Sequence, residues 1–85
     1  MRSRIYQKLN NFLNPSVLEV VNESDQHSGH LQSPKTGNSH FFVKISSTQL
    51  DKLSRLEGQR LIFKILQQEM SKDIHALRIK IIYNN

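Results

Sequence analysis

Apolar side chains recur along this chain in two rhythms, and the switches between them mark its elements. Ile5, Leu9, Phe12 and Leu13 fall at i, i+4, i+7 and i+8, the spacing of an apolar stripe on one face of a helix. Asn14-Pro15 ends that helix, because a residue before proline is pushed out of the right-handed helical region. Val17-Leu18-Glu19-Val20-Val21, rich in β-branched residues, predicts a short first strand. His40-Phe41-Phe42-Val43-Lys44-Ile45 predicts a second, with Phe41, Val43 and Ile45 on one face and His40, Phe42 and Lys44 on the other. Between the strands, from about residue 22 to residue 39, the chain is polar and holds Gly29, Pro34 and Gly37. A loop of that length inside a small domain is usually functional or disordered.

The helical rhythm then returns. Ser54-Arg55-Leu56-Glu57 has the capping-box pattern, a Ser cap followed three residues on by Glu. The helix it opens is expected to carry Leu56, Ile62, Phe63, Leu66 and Met70 on one side and to close at Lys72-Asp73. Leu61 and Ile65 project elsewhere and either pack on the first helix or belong to a partner surface. From about Ile74 to Tyr83, Leu77, Ile79 and Ile81 alternate with Arg78 and Lys80, the pattern of a half-buried last strand.

The order is therefore helix, strand, strand, helix, strand. The first two strands should pair antiparallel across the loop, and the crossover through the later helix should set the third parallel to its neighbour. Both helices then cover one sheet face, an α+β two-layer αββαβ sandwich with a three-stranded mixed sheet, formed as a single domain over residues 1–85. Its open face would show Glu19, Val21, His40, Phe42, Lys44, Arg78 and Lys80, with His75 at a rim within reach of the long loop.

Composition narrows the chemistry. The 85 residues include no cysteine, so neither a disulfide framework nor a thiolate metal site can be the chain's own. No stretch approaches the roughly 20 apolar residues of a membrane span, and the N-terminus lacks an apolar signal core. These features, with indifference to redox compartment, read as a soluble cytoplasmic protein with no membrane partner. The net charge is +5 and the pI near 9.9. The basic residues are spread along the whole chain and interrupted by seven acids, which favours a solvated basic surface over a dedicated nucleic-acid patch. No activated serine, phosphate-cradling glycine loop or isolated carboxylate pair is present, so the chain is not read as an enzyme. His27-x-x-His30 with His40 imitates a zinc triad only weakly, since no carboxylate is placed beside it as a base.

Several segments together resemble the BolA family. Asn22-Glu23-Ser24 followed by His27 and Gly29-His30 is similar to that family's Asn/Asp-Glu-Ser…His segment. Ser39-His40-Phe41 with Val43 resembles its Ser/Thr-His-Phe-x-Val strand, Arg60-Leu61-Ile62-Phe63 with Leu66 its central helix, and His75-Ala76-Leu77 its C-terminal signature. The motifs occur in order from about Ile5 to Ile81. Two stretches depart from the pattern. Leu50-Asp51-Lys52-Leu53-Ser54 stands where the family often has Phe-x-Gly-x-Ser, and Gly58-Gln59-Arg60 where it usually has Arg-His-Arg.

The resemblance implies a class II KH-like fold and a partnership with a monothiol glutaredoxin. It implies a two-iron two-sulfur cluster held only in complex with glutaredoxin and glutathione, for cluster trafficking or iron sensing. The free protein is then metal-free, and a monomer or weak homodimer. By position His75 matches the family's C-terminal cluster histidine and His27 its loop ligand, with His30 an alternative. Two histidines replacing two cysteines on one iron is established cluster chemistry. His40 is read as structural. The alternative function is a nucleic-acid-binding transcriptional regulator using Lys44, Arg78 and Lys80 on the open sheet face, with DNA as the partner. Against it, residues 46–54 lack the glycine loop with which KH domains clamp RNA.

Overall fold

The computed structural model describes residues 1–23 and 40–84. They form α1 (Arg2–Leu13), β1 (Val17–Asn22), β2 (His40–Ser46), α2 (Thr48–Asp51), α3 (Arg55–Ile65), α4 (Gln67–Lys72) and β3 (Ala76–Ile81). The expected strands are all present, the last of them trimmed at both ends from the span 74–83.

β2 is the middle strand. β1 pairs with it antiparallel, with Val20 opposite Val43 and Asn22 opposite Phe41. β3 pairs with its other edge in parallel, with His40 opposite Ala76 and Phe41 opposite Leu77. Because side chains alternate across a strand, this register collects Val20, Phe41, Val43, Ile45 and Ile81 on one face. There they join Ile5, Leu9, Leu13, Leu50, Ile62, Leu66 and Ile74 in a single buried cluster. The opposite face carries the rows Val21–Phe42–Arg78 and Glu19–Lys44–Lys80. The α+β sandwich with a three-stranded mixed sheet is thus the observed architecture.

Helix α1 buries Ile5, Leu9 and Leu13, whereas Phe12 is 62% exposed. At roughly 100° per residue Phe12 lies about 60° from the stripe's centre at Leu9, so it falls on the flank. It lines a groove there with Lys8 of the same helix and Leu61, Lys64 and Ile65 of α3. Asn14 closes the helix as expected, but in the left-handed conformation (φ 43°, ψ 57°), its N–H donating to the Asn10 carbonyl. Asparagine tolerates that region better than most residues. Near the other end of α1, Arg2 Nε donates to the Val20 carbonyl at 2.7 Å, tying the helix to β1.

Short α2 was not foreseen. Ser47, 1% exposed, is its N-cap: the hydroxyl accepts from Gln49 N–H and donates to the Leu13 carbonyl at 2.8 Å. One side chain thus starts α2 and satisfies a carbonyl at the end of α1. Ser47→Ala removes the cap and leaves that acceptor buried, an expected loss of about 1–2 kcal/mol. Thermal or urea unfolding of the variant measures it, and an unchanged midpoint would refute the dual role.

The capping box at the start of α3 is present in both directions, Glu57 N–H to Ser54 Oγ and Ser54 N–H to Glu57 Oε1, each 3.1 Å. Hydrogen bonds from Ser54, its backbone N–H first, hold the Glu57 carboxyl below its usual range. The buried face of α3 differs from expectation. It runs Gly58–Ile62–Leu66, while Leu56 is 57% and Phe63 37% exposed. A Cβ on Gly58 would meet Ile81 Cδ1 at 2.8 Å and Leu50 Cδ2 at 3.4 Å, so a glycine here lets the helix approach β3 closely. Leu61 and Ile65 are half-buried and pack against the core. At Leu66 (φ −99°, ψ 17°) the helix breaks into α4, which brings the Glu69 side chain inward until it is 1% exposed.

Candidate functional site

His75 sits immediately before β3, and the chain on either side dictates where it points. The Glu69 carbonyl accepts from both Asp73 N–H (2.8 Å) and Ile74 N–H (2.9 Å), fixing the turn out of α4. Ile74 is then driven into the core, 4% exposed. Ala76 enters the parallel ladder opposite His40. Between a buried anchor and a paired strand, His75 emerges exposed at the rim.

The register also supplies its neighbour. His40, the first residue of β2, is half-buried, and its ring meets that of His75 edge to face, centroids 5.4 Å apart and planes at 61°. His40 does point away from Phe41, Val43 and Ile45, as its place in the alternation requires. Sequence reasoning nevertheless missed its pairing with His75. Only the parallel register brings residues so distant in sequence together.

The same end of the sheet is where the long loop leaves and returns. Glu23 N–H donates to the His40 carbonyl at 2.8 Å, extending the β1–β2 ladder one step past Asn22. His27 and His30 lie outside the described residues.

The Glu23 carboxylate receives two bonds from the Arg78 guanidinium, Nε to Oε1 at 3.0 Å and Nη2 to Oε2. The guanidinium carbon lies 4.7 Å from the centre of the Phe42 ring. Hydrogen bonding and charge from Glu23 raise the Arg78 pKa above its ordinary value. Lys44 and Lys80 are neighbours in the next row, which Glu19 completes. The three cations expected on the open face therefore do share it, but Arg78 is paired with Glu23, and Lys44 stands opposite Glu19. A bidentate pair stacked on an aromatic ring is a structural clamp between β1 and β3, and it weakens the reading of this face as a phosphate-binding surface.

Chemically, the rim offers the exposed His75 imidazole to solvent. Among the described residues no group of three or more His, Cys, Asp or Glu is placed to hold a metal ion. No described helix is long and apolar enough to cross a membrane.

Comparison with known proteins agrees with the fold. The family model described as BolA-like protein matches residues 9–84. UV-induced protein uvi31 of Schizosaccharomyces pombe is 32% identical over 81 residues, covering 92% of this chain and 79% of that protein. BolA1 from Arabidopsis thaliana superposes with a TM-score of 0.85 at 30% identity, over 98% of this chain and 90% of that one. The BolA domain of SufE1 from Arabidopsis thaliana gives 0.84 at 36% identity, over 96% and 90%.

Proposed function

The chain belongs to the BolA-like family, and on that footing we propose that it is a non-enzymatic partner of a monothiol glutaredoxin. In this role it lends histidine ligands to a two-iron two-sulfur cluster shared between the two proteins, in cluster trafficking or iron sensing. The observation that carries the reading is the exposed His75, whose backbone is anchored at the mouth of β3, at the sheet end where β1 gives way to the long loop.

The donor set suits the group. A two-iron two-sulfur cluster accepts two imidazoles on one iron in place of two thiolates. This chain has histidines at the rim and no cysteine, so the thiolates come from the partner's active-site cysteine and its glutathione. His75 would be one ligand and His27 the other, with His30 as the alternative. The chain's own part is to present these nitrogens at a rim free of packed core, and to keep His75 at a fixed height by burying Ile74 beneath it.

The test is an anaerobic titration with cluster-loaded monothiol glutaredoxin, followed by visible circular dichroism. The wild-type chain is expected to generate a new heterocomplex spectrum, and His75→Ala to abolish it while the variant stays folded. A spectrum indifferent to both His75→Ala and His27→Ala would sink the proposal.

A further inference from the structure

We propose that His40 is the positioning residue for His75: its ring, packed edge to face on the His75 imidazole, selects the orientation in which that imidazole meets an incoming metal centre. The inference rests on the reading above, in which His75 is a ligand, and gives a purpose to a histidine that reading leaves unused.

His75 needs such a support. Its backbone is held by Ile74 below and Ala76 after, but the exposed side chain has a choice of staggered wells about its first torsion. A ligand that must be ordered at the moment of binding is a weaker ligand than one already ordered. His40 stands on the one strand of the sheet that is paired on both edges, so its backbone is the firmest platform available at this end of the molecule. The register sets it opposite Ala76, one residue from His75. The separation of 5.4 Å and the 61° interplanar angle fall within the geometry that aromatic pairs prefer, centroids about 4.5–7 Å apart and edge to face. The core does not require an imidazole at this position. His40 is half-buried on the open face, and the buried work of β2 is done by Phe41, Val43 and Ile45.

A ring contact and a metal bond make different demands on residue 40, so substitution separates them. His40→Phe keeps a ring in place and removes both nitrogens, whereas His40→Ala removes the ring. His40→Leu, which fills the space without a ring edge, replaces the alanine variant if that one unfolds. In the free protein, side-chain couplings and ring-current shifts of His75 measured by NMR should show one dominant rotamer in wild type and His40→Phe. Averaging among rotamers is expected in His40→Ala. In the complex with cluster-loaded monothiol glutaredoxin, His40→Ala should lose the cluster about tenfold faster, at the lower end of what removal of a ligand's supporting neighbour costs, with His40→Phe within about twofold of wild type.

Three results overturn the inference, and each points somewhere different. If His40→Phe behaves like His75→Ala, His40 is itself a ligand. If His40→Ala matches wild type in both measurements, the ring contact is incidental. If His75→Ala leaves the spectrum of the complex unchanged, the ligand reading fails and the positioning role falls with it, whatever the rotamer measurement shows.

Discussion

Phe41→Ala is expected to lower the free energy of unfolding by about 3–5 kcal/mol, the usual cost of emptying a buried aromatic site. Phe41 is 1% exposed and lies on the middle strand, between Asn22 of β1 and Leu77 of β3. Helices cover it from one side and paired strands hold its backbone from both edges, so the surroundings have little freedom to collapse into the space. At roughly 0.05–0.15 kcal/mol per residue a domain of this length has about 4–13 kcal/mol in total. The substitution therefore removes a large share of the stability, and at the low end of that range all of it. Urea unfolding gives the measurement, with the midpoint falling and the slope unchanged. Phe41→Leu should cost clearly less, because most of the volume remains. A loss below about 1 kcal/mol for the alanine variant would mean the site is not closed in the way described.

Glu69→Ala ranks second. Its side chain is 1% exposed, with Oε1 accepting from Lys8 Nζ at 3.0 Å and Oε2 lying 2.9 Å from Lys8 Nζ and 3.3 Å from Arg4 Nε. Removing one partner of a fully buried ion pair costs about 3–5 kcal/mol, because the other charge is stranded. Here Lys8 is 28% and Arg4 61% exposed, so both cations can turn to water. The expected loss is thus smaller, about 1–3 kcal/mol, made up of the emptied volume and the broken link between α1 and α4.

The pH dependence follows from the same contacts. Burial alone pushes the Glu69 carboxyl up, but the hydrogen bonds from Lys8 and from its own backbone N–H, with the charges of Lys8 and Arg4, together outweigh it and hold the pKa below its ordinary value. A carboxyl whose pKa is lower folded than unfolded contributes stability above its unfolded value, and that contribution is lost as pH falls through the folded value. Wild type should therefore lose stability on acidification below the ordinary glutamate range more steeply than Glu69→Gln. Unfolding midpoints at neutral pH and at the acid end compare the two, and parallel curves would show that this carboxylate contributes nothing to the acid limb.

What the sequence conveyed depended on whether a residue's role was local. The alternation in Phe41–Val43–Ile45 and Leu77–Ile79–Ile81 reports burial directly, since a strand's period does not depend on what it packs against. The Ser54–Glu57 box was equally legible, both partners lying within one turn. The buried face of α3 was not, because its first member is Gly58, a residue that carries no apolar signal and is buried because Ile81 lies so close. Leu56 and Phe63 are apolar enough to suggest burial, yet both lie off the buried face. Phe12 failed for a similar reason, its position in the stripe being marginal. At the rim, His75 stood out through its neighbours Ala76 and Leu77, but its contact with His40 is a property of strand register. The Glu23–Arg78 clamp joins residues 55 positions apart, and no local pattern announces it.

The bond from Arg2 to the Val20 carbonyl has a consequence beyond the helix it anchors. Among the described residues β1 has a neighbour on one side only, and it presents Val17 at 41% and Val21 at 37% exposure. An outer strand of that kind is a template on which other chains can add by edge-to-edge pairing. Arg2 occupies an acceptor of this strand and sets a cation beside it, while the opposite outer strand carries Arg78 and Lys80. The first turn of α1 thus takes up one of the groups that such edge pairing would use, a contribution separate from the core stripe, which begins only at Ile5.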